Sequence, residues 1–258
     1  MKRNVPWLRA CLTVLTLCCS FIAKGQQGIV SYQLTVNDKI LGQKRTQNLI
    51  LYIDGTKSVE RIVKPLKPAE AWSQSTELNE VKLITTKRPY FIYKDFEKKK
   101  LILSDYIAAR KYVINDTVNN FKWKISTESS KVKGFVCRKA SLNFRGRTYH
   151  AWFTQQIPIQ NGPWKFCGLP GLIVKISDTD GDFVYELNGI DLKGKFDKML
   201  IKIPSEYVKD KPISYKEFRL LYKKKLEDNI KLSRVEQTTP SGDRGLINIT
   251  LPDKQERF

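Results

Sequence analysis

Gly162-Pro-Trp-Lys-Phe-Cys-Gly-Leu-Pro-Gly-Leu-Ile173 is the stretch on which the reading of this chain turns. Most loops are small and polar. This one sets Gly162, Gly168 and Gly171 and Pro163 and Pro170 among large apolar side chains. Such a segment has to fold tightly against an apolar surface, and the rest of the chain reads as its scaffold. Pro163 cannot donate to a strand ladder, so Gly162-Pro163 ends a strand edge. Gly168 and Gly171 bracket Leu169-Pro170, which asks for positive φ or close chain approach. Trp164 and Phe166 have the bulk to fill a barrel mouth. A structural plug and a ligand surface are both open readings of the loop, and a rigid aromatic loop at a cavity mouth serves either.

Outward from the loop, the pattern is mostly period two. Val30, Tyr32, Leu34 and Val36 share one face of a first strand. Leu49 to Ile53 is apolar on both faces and should be covered twice, with Asp54-Gly55 as the following turn. Ala69 to Leu78 reads as a short helix or loop, and Val81 to Thr86 as a strand. Phe121, Trp123 and Ile125 alternate with polar residues and are expected on the core side of a strand, followed by a turn over 128–134. Phe135–Leu142 and Thr148–Thr154 read as a hairpin turned by Arg145-Gly146-Arg147, and Leu172–Ile176 pairs with Phe183–Leu187. The period then becomes 3.6. Ser214-Tyr-Lys-Glu217 is a capping box, and Phe218, Leu221, Tyr222, Leu226 and Ile230 form one stripe, which predicts a helix over 215–232. Leu246 to Ile249 is a candidate last strand in a flexible tail. The fold class is mainly β (α+β). Nine or ten antiparallel strands would curl into a half-barrel or barrel, with one C-terminal amphipathic helix.

The start of the chain is an address rather than part of the fold. Lys2, Arg3 and Arg9 precede the apolar run Ala10–Ala23, and Ala23-Lys24-Gly25 offers small residues before a cut at Gln26. Residues 1–25 therefore read as a secretory signal peptide. Residues 26–258 read as one β-rich domain. Lipidation at Cys18 or Cys19 is a weaker alternative, because Leu17 and Cys18 are poor residues to precede a lipidated cysteine. The full chain has 46 Lys and Arg against 26 Asp and Glu; without the four basic leader residues the balance is 42 − 26 = +16. Behind a signal peptide, such a field points to an anionic envelope surface and not to nucleic acid. A plain solvated surface is the simpler account of the same charge.

Cys137 and Cys167 remain after the leader. In an exported chain a disulfide between them is the default, worth roughly 3–4 kcal/mol on the chain-entropy model. Two buried thiols or a metal pair are the rivals, and the metal lacks partners because His150 is the sole histidine. No catalytic set emerges. His150 has no glycine-framed serine nucleophile to serve. Asp178, Asp180 and Asp182 resemble a calcium loop, yet a strand follows at once, so a hairpin turn is the better reading. No metal and no cofactor is expected.

Gly168-Leu-Pro-Gly-Leu-Ile173 resembles the signature of the GLPGLI family, exported proteins of Bacteroidota. Gly134-Phe-Val-Cys137, Lys139-Ala140, Gly146-Arg147, Ala151-Trp-Phe-Thr154, Ile157-Pro-Ile159 and Gly162-Pro163 are similar to its upstream blocks, and the specific resemblance covers about residues 121–190. The resemblance implies an exported, β-rich protein associated with envelope and outer-membrane transport. It implies no activity and carries no catalytic residue. The sequence thus leads to a non-enzymatic envelope protein, periplasmic or outer-membrane-associated. It would bind an apolar or amphipathic small ligand or an outer-membrane transporter, with Trp152, Trp164, Phe166 and Leu169 as contact set. An assembly accessory of outer-membrane transport, or a hydrolase using carboxylates alone, are the alternatives.

Overall fold

Alternating side chains produce one sheet that curls without closing. The computed structural model describes residues 27–39, 42–63, 88–233, 236–238, 244–246 and 254–256. The leader, the 69–78 segment with Trp72 and the 81–86 strand lie outside them. In chain order the strands are β1 (Gln27–Asp38), β2 (Gln43–Asp54), β3 (Lys57–Ile62), β4 (Phe91–Asp95), β5 (Lys100–Ile107) and β6 (Arg110–Thr117). They continue as β7 (Lys124–Val132), β8 (Phe135–Phe144), β9 (Arg147–Thr154), β10 (Leu172–Asp178), β11 (Phe183–Asp191) and β12 (Ile213–Ser214). A separate small pair, β13 (Glu236–Thr238) and β14 (Arg244–Leu246), follows the helix. The spatial order is β12-β6-β5-β4-β3-β2-β1-β11-β10-β9-β8-β7, so β12 and β7 are open edges. Among the described residues the main sheet has twelve strands where about nine or ten were expected.

All long pairs are antiparallel; the two-residue β12 alone runs parallel, to β6. The register builds the concave face. Val30 opposes Leu51, Leu51 opposes Glu60, Glu60 opposes Ile92, Ile92 opposes Leu103, and Leu103 opposes Ile114. Partners directly opposite point to one side of a sheet, so these six form a row across six strands. The next row passes through Ile53, Ser58, Lys94 and Leu101. Two apolar rows therefore carry one ion each, Glu60 and Lys94, and both ions are fully buried. On the other face of this half, Val59, Phe91, Ile102 and Val113 pack with Tyr207 in a second small core. The Phe196 ring lies 5.2 Å from Tyr52 on β2, so the outer face of that strand is covered in part as well.

The helix α1 spans Tyr215–Ser233, one residue past the expected end. Ser214 Oγ accepts from Glu217 N–H at 3.1 Å, as a capping residue should. Its buried side is Phe218, Tyr222 and Asn229, which lies against β5, β6 and β12. Leu221 and Ile230, expected on that side, are exposed. No helix among the described residues is long and apolar enough to cross a membrane.

One strand departs from its reading. β7 begins at Lys124 and runs through the expected turn, which lies instead at Lys133-Gly134. Ile125 is exposed, and Phe121 and Trp123 pack on the core from the preceding loop. Their alternation comes from a loop folded onto the ring of Phe166 (6.0 and 6.1 Å between centroids), not from a ladder.

Residues 155–171 connect β9 to β10 and pass inside the sheet. Gly171 has φ +149°, and a Cβ there would sit 2.0 Å from the Thr154 carbonyl oxygen. Gly168 has φ +85° with nothing within 4 Å of such a Cβ. The two glycines therefore differ in kind: one answers to space, the other to conformation alone. In urea unfolding, Gly171→Ala is expected to lose more than about 3 kcal/mol through backbone overlap. Gly168→Ala should lose only about 1–2 kcal/mol; equal losses would refute the distinction.

Candidate functional site

The loop is held by ions from the opposite part of the sheet. Lys94 Nζ donates to Asn161 Oδ1 at 3.0 Å, Gly162 O at 2.8 Å and Phe166 O at 3.2 Å. These are three donors for three acceptors, the full capacity of an ammonium. Asn161 Nδ2 donates in turn to Ser58 Oγ at 3.0 Å. Glu60 Oε2 accepts from Trp164 N–H at 2.7 Å, and its Oε1 accepts from the Tyr90 hydroxyl at 3.1 Å. Trp164 sits at φ 51°, a strained value for a bulky residue, and the Glu60 contact pins its amide. Burial raises the Glu60 carboxyl above its ordinary value, against the pull of Lys94 and the two donors. Burial likewise lowers the Lys94 ammonium.

Over these ions lies a cluster of rings. Phe166 is fully buried, with centroids 4.7 Å from Tyr149 and 5.1 Å from Trp164. Each such pair adds about 0.5–1.5 kcal/mol beyond area burial. Leu169 is also fully buried. Of the expected contact set, Trp164, Phe166 and Leu169 come together in this packing, and Trp164 also lines the wall of the cavity beside the loop. Trp152 sits elsewhere, with His150 on the other face of β9, where Lys139 Nζ lies 5.7 Å from its ring centre.

The disulfide expectation is overturned. Cys137 and Cys167 are free, buried thiols. Cys137 lies on the core face of β8, opposite Ser130 of β7. Cys167 is bridged to Asn161, its carbonyl accepts from Trp123 Nε1 at 2.9 Å, and its thiol feels the charge of Lys94. Burial raises both thiols, so each stays in the unreactive protonated form.

The acids between β10 and β11 form the hairpin turn that was expected. Asp178, Asp180 and Asp182 approach one another closely enough to suggest a metal ion. The buried Arg147 guanidinium already sits among them, at 2.7 Å from Asp178, 3.0 Å from Asp182 and 3.9 Å from Asp180. That cation and Lys39, 2.8 Å from Asp182 Oδ1, already occupy the oxygens a metal would need, so the residues do not fit a metal centre.

A cavity of about 610 Å³ opens beside the loop. Leu34, Leu49, Ile62, Leu103, Ile114 and Phe218 give it an apolar wall. Polar groups enter from Arg88, Lys111, Lys165 and residues 254–256. Next to it, Lys165 and Arg145 share two acids, Asp116 and Glu256. Burial would raise the Asp116 carboxyl, but Lys165 and Arg145 outweigh it and hold the group below its ordinary value. Glu60, Lys94, Arg145 and Lys165 were not singled out in the sequence. The available signal was phase: Glu60 and Lys94 fall on the apolar side of alternating strands.

Comparison with known proteins adds the following. Residues 144–175 match a family model described as a protein of unknown function (Porph_ging). The match covers the β8–β9 turn, β9 and the whole loop. No curated protein matches the chain. PNGF-II, solved in two crystal forms, is similar in fold with TM-scores of 0.51 and 0.49 at 14% and 15% identity. Each alignment covers 78% of this chain but only 34% and 32% of that one, so the chain spans about a third of its length. A DUF1329 family protein from Desulfovibrio piger ATCC 29098 aligns over 70% of this chain and 91% of its own, at 8% identity and a TM-score of 0.34. At these identities the likeness concerns the fold alone.

Lys94→Met should be strongly destabilising. It strands three loop acceptors and leaves Glu60 a buried charge without its cation, a loss of about 3–5 kcal/mol. The urea midpoint should fall with the slope unchanged, and a loss under about 1 kcal/mol would contradict the clamp. The Asp116 carboxyl, depressed in the folded state, contributes stability above its unfolded value of about 3.9 and loses it as pH falls through the folded value. Thermal melts of Asp116→Asn and the parent protein should therefore differ at neutral pH, and the difference should begin to shrink only as pH falls below about 4.

Proposed function

We propose that this chain is a non-enzymatic exported envelope protein that binds an apolar or amphipathic small ligand in the cavity beside the loop. One observation carries the reading: a cavity of about 610 Å³ with an apolar wall on one side and charged and polar side chains gathered on the other. That size falls within the range of about 300–1,000 Å³ common to small-molecule sites. The two acids on its wall, Asp105 and Glu256, are engaged by Lys254 and by Arg145 and Lys165. Their engagement supports binding over acid–base chemistry. The leader read in residues 1–25 supports export. The contact set is revised to Trp164 with Leu49, Ile62, Leu103 and Phe218. Trp152, Phe166 and Leu169 leave it.

A second reading, contact with an anionic envelope surface or an outer-membrane transporter, rests on α1. Its outer side exposes Lys216, Arg219, Lys223 and Lys224 together with Leu220 and Ile230. Such a contact would weaken with salt.

The neutral fluorescent probe N-phenyl-1-naphthylamine should bind the delipidated protein and gain emission. Ile62→Trp, which fills the cavity from its wall, should weaken that binding roughly tenfold, about 1.4 kcal/mol. Absence of any emission gain up to the solubility limit of the probe would sink the binding reading.

A further inference from the structure

Arg145 and Lys165 make a fixed cationic seat, and its second anion comes from a distant segment. Lys165 is 2% exposed, and its Nζ lies 3.1 Å from Asp116 Oδ2 and 2.7 Å from Glu256 Oε1. Arg145, at the β8–β9 turn, forks onto both Asp116 oxygens at 2.9 Å and reaches Glu256 Oε1 at 2.6 Å. The Tyr215 ring lies against both cations, its centre 3.4 Å from the guanidinium carbon and 4.7 Å from the ammonium. Asp116, Arg145 and Lys165 belong to the sheet and the loop. They sum to one positive charge. Glu256 completes neutrality at 6% exposure.

Residues 254–256 lie on the cavity wall as a guest would. Lys254 Nζ meets Asp105 Oδ1 at 2.5 Å and Tyr106 O at 2.9 Å. Arg147 Nε donates to Lys254 O at 3.2 Å, and the Tyr149 hydroxyl donates to Gln255 O at 2.5 Å. Gln255 Nε2 donates to the Tyr185 hydroxyl. Each of these contacts uses a side chain, and no strand pairing holds the three residues among those described. The carboxylate of Glu256 thus enters a site walled by apolar strands on one side and by the buried Lys165 and the half-buried Arg145 on the other.

We propose that the Glu256 carboxylate occupies the headgroup seat of the ligand. The cavity takes a single-chain amphiphile ending in a carboxylate. The chain lies along Leu34, Leu49, Ile62 and Leu103, and the headgroup replaces Glu256 between Arg145 and Lys165. Residues 254–256 compete for that seat in cis, so the free protein is self-occupied and its apparent affinity is reduced by the open fraction. This rests on the binding reading above. The physical ground is selectivity. The buried Lys165 and the half-buried Arg145 make charge-assisted bonds to a carboxylate, and an alcohol headgroup leaves them short of an anion, the kind of mismatch a polar site rejects most strongly.

Titration calorimetry of the full chain with dodecanoate and with dodecanol tests the assignment. The parent protein should bind dodecanoate at least about tenfold more tightly than dodecanol. Glu256→Gln should tighten dodecanoate by about tenfold or more while moving dodecanol little. Arg145→Gln should abolish the preference, and this variant and the parent comparison decide the matter even if Glu256→Gln fails to fold. Equal affinity for the two amphiphiles in the parent protein overturns the headgroup seat and leaves the binding reading standing. Binding of neither overturns both. An unchanged dodecanoate affinity in folded Glu256→Gln overturns the competition in cis.

Discussion

Two ions on otherwise apolar rows fix the architecture. Glu60 and Lys94 stand on the concave side of β3 and β4, both fully buried. Burying an ion is costly unless its hydrogen-bonding capacity is met. Here it is met mainly by a loop from the β9–β10 connection: the Asn161 side chain and two backbone carbonyls accept from Lys94, and the amide of Trp164, with the Tyr90 hydroxyl from outside the loop, donates to Glu60. The ions need the loop as much as the loop needs the ions. A closed barrel would bind its two halves through a continuous ladder. This sheet is open, and the polar cross-link does part of that joining.

The same rule governs the other charges inside the molecule. Arg147 is shared by Asp178 and Asp182, and Lys165 by Asp116 and Glu256. The chain carries a large positive excess, yet its buried cations each meet carboxylates or carbonyls. Net charge therefore says little about the interior, where pairing is local. The aromatic rings around Phe166 complete the picture. They exclude water from the clamp and so raise the strength of every contact within it.

Much of this could be read from residue order, for a definite reason. β1 and β9 alternate over most of their length because one face is buried and the other is not, and the helix announced itself through its capping box and Phe218. The strand at Phe121 misled because alternation also arises when a loop drops every second ring onto a neighbour. The cysteine pair misled because an even count says nothing about whether two thiols face each other. The candidate site was half visible. The loop was found, but its anchors were not. Lys94 follows Ile92 by two, the right phase for the core, and a lysine in that phase is ordinarily discounted as solvent-facing. Trp152 failed for the same kind of reason: its phase, opposite to Tyr149, Ala151 and Phe153, placed it on the wrong face.

The clamp joins residues far apart along the chain. Lys94 and Asn161 are separated by 67 positions, and Glu60 and Trp164 by 104. Contacts of such span demand that the intervening loops close before any reward is collected. The β hairpins on either side involve near neighbours and have no such delay. The loop is thus an arch stone set last, between two walls already raised, and interactions that form late chiefly govern how slowly a folded chain comes apart. For the exported envelope protein proposed above, beyond the reach of refolding machinery that uses ATP, slowness of escape from the native state is the form of stability that counts.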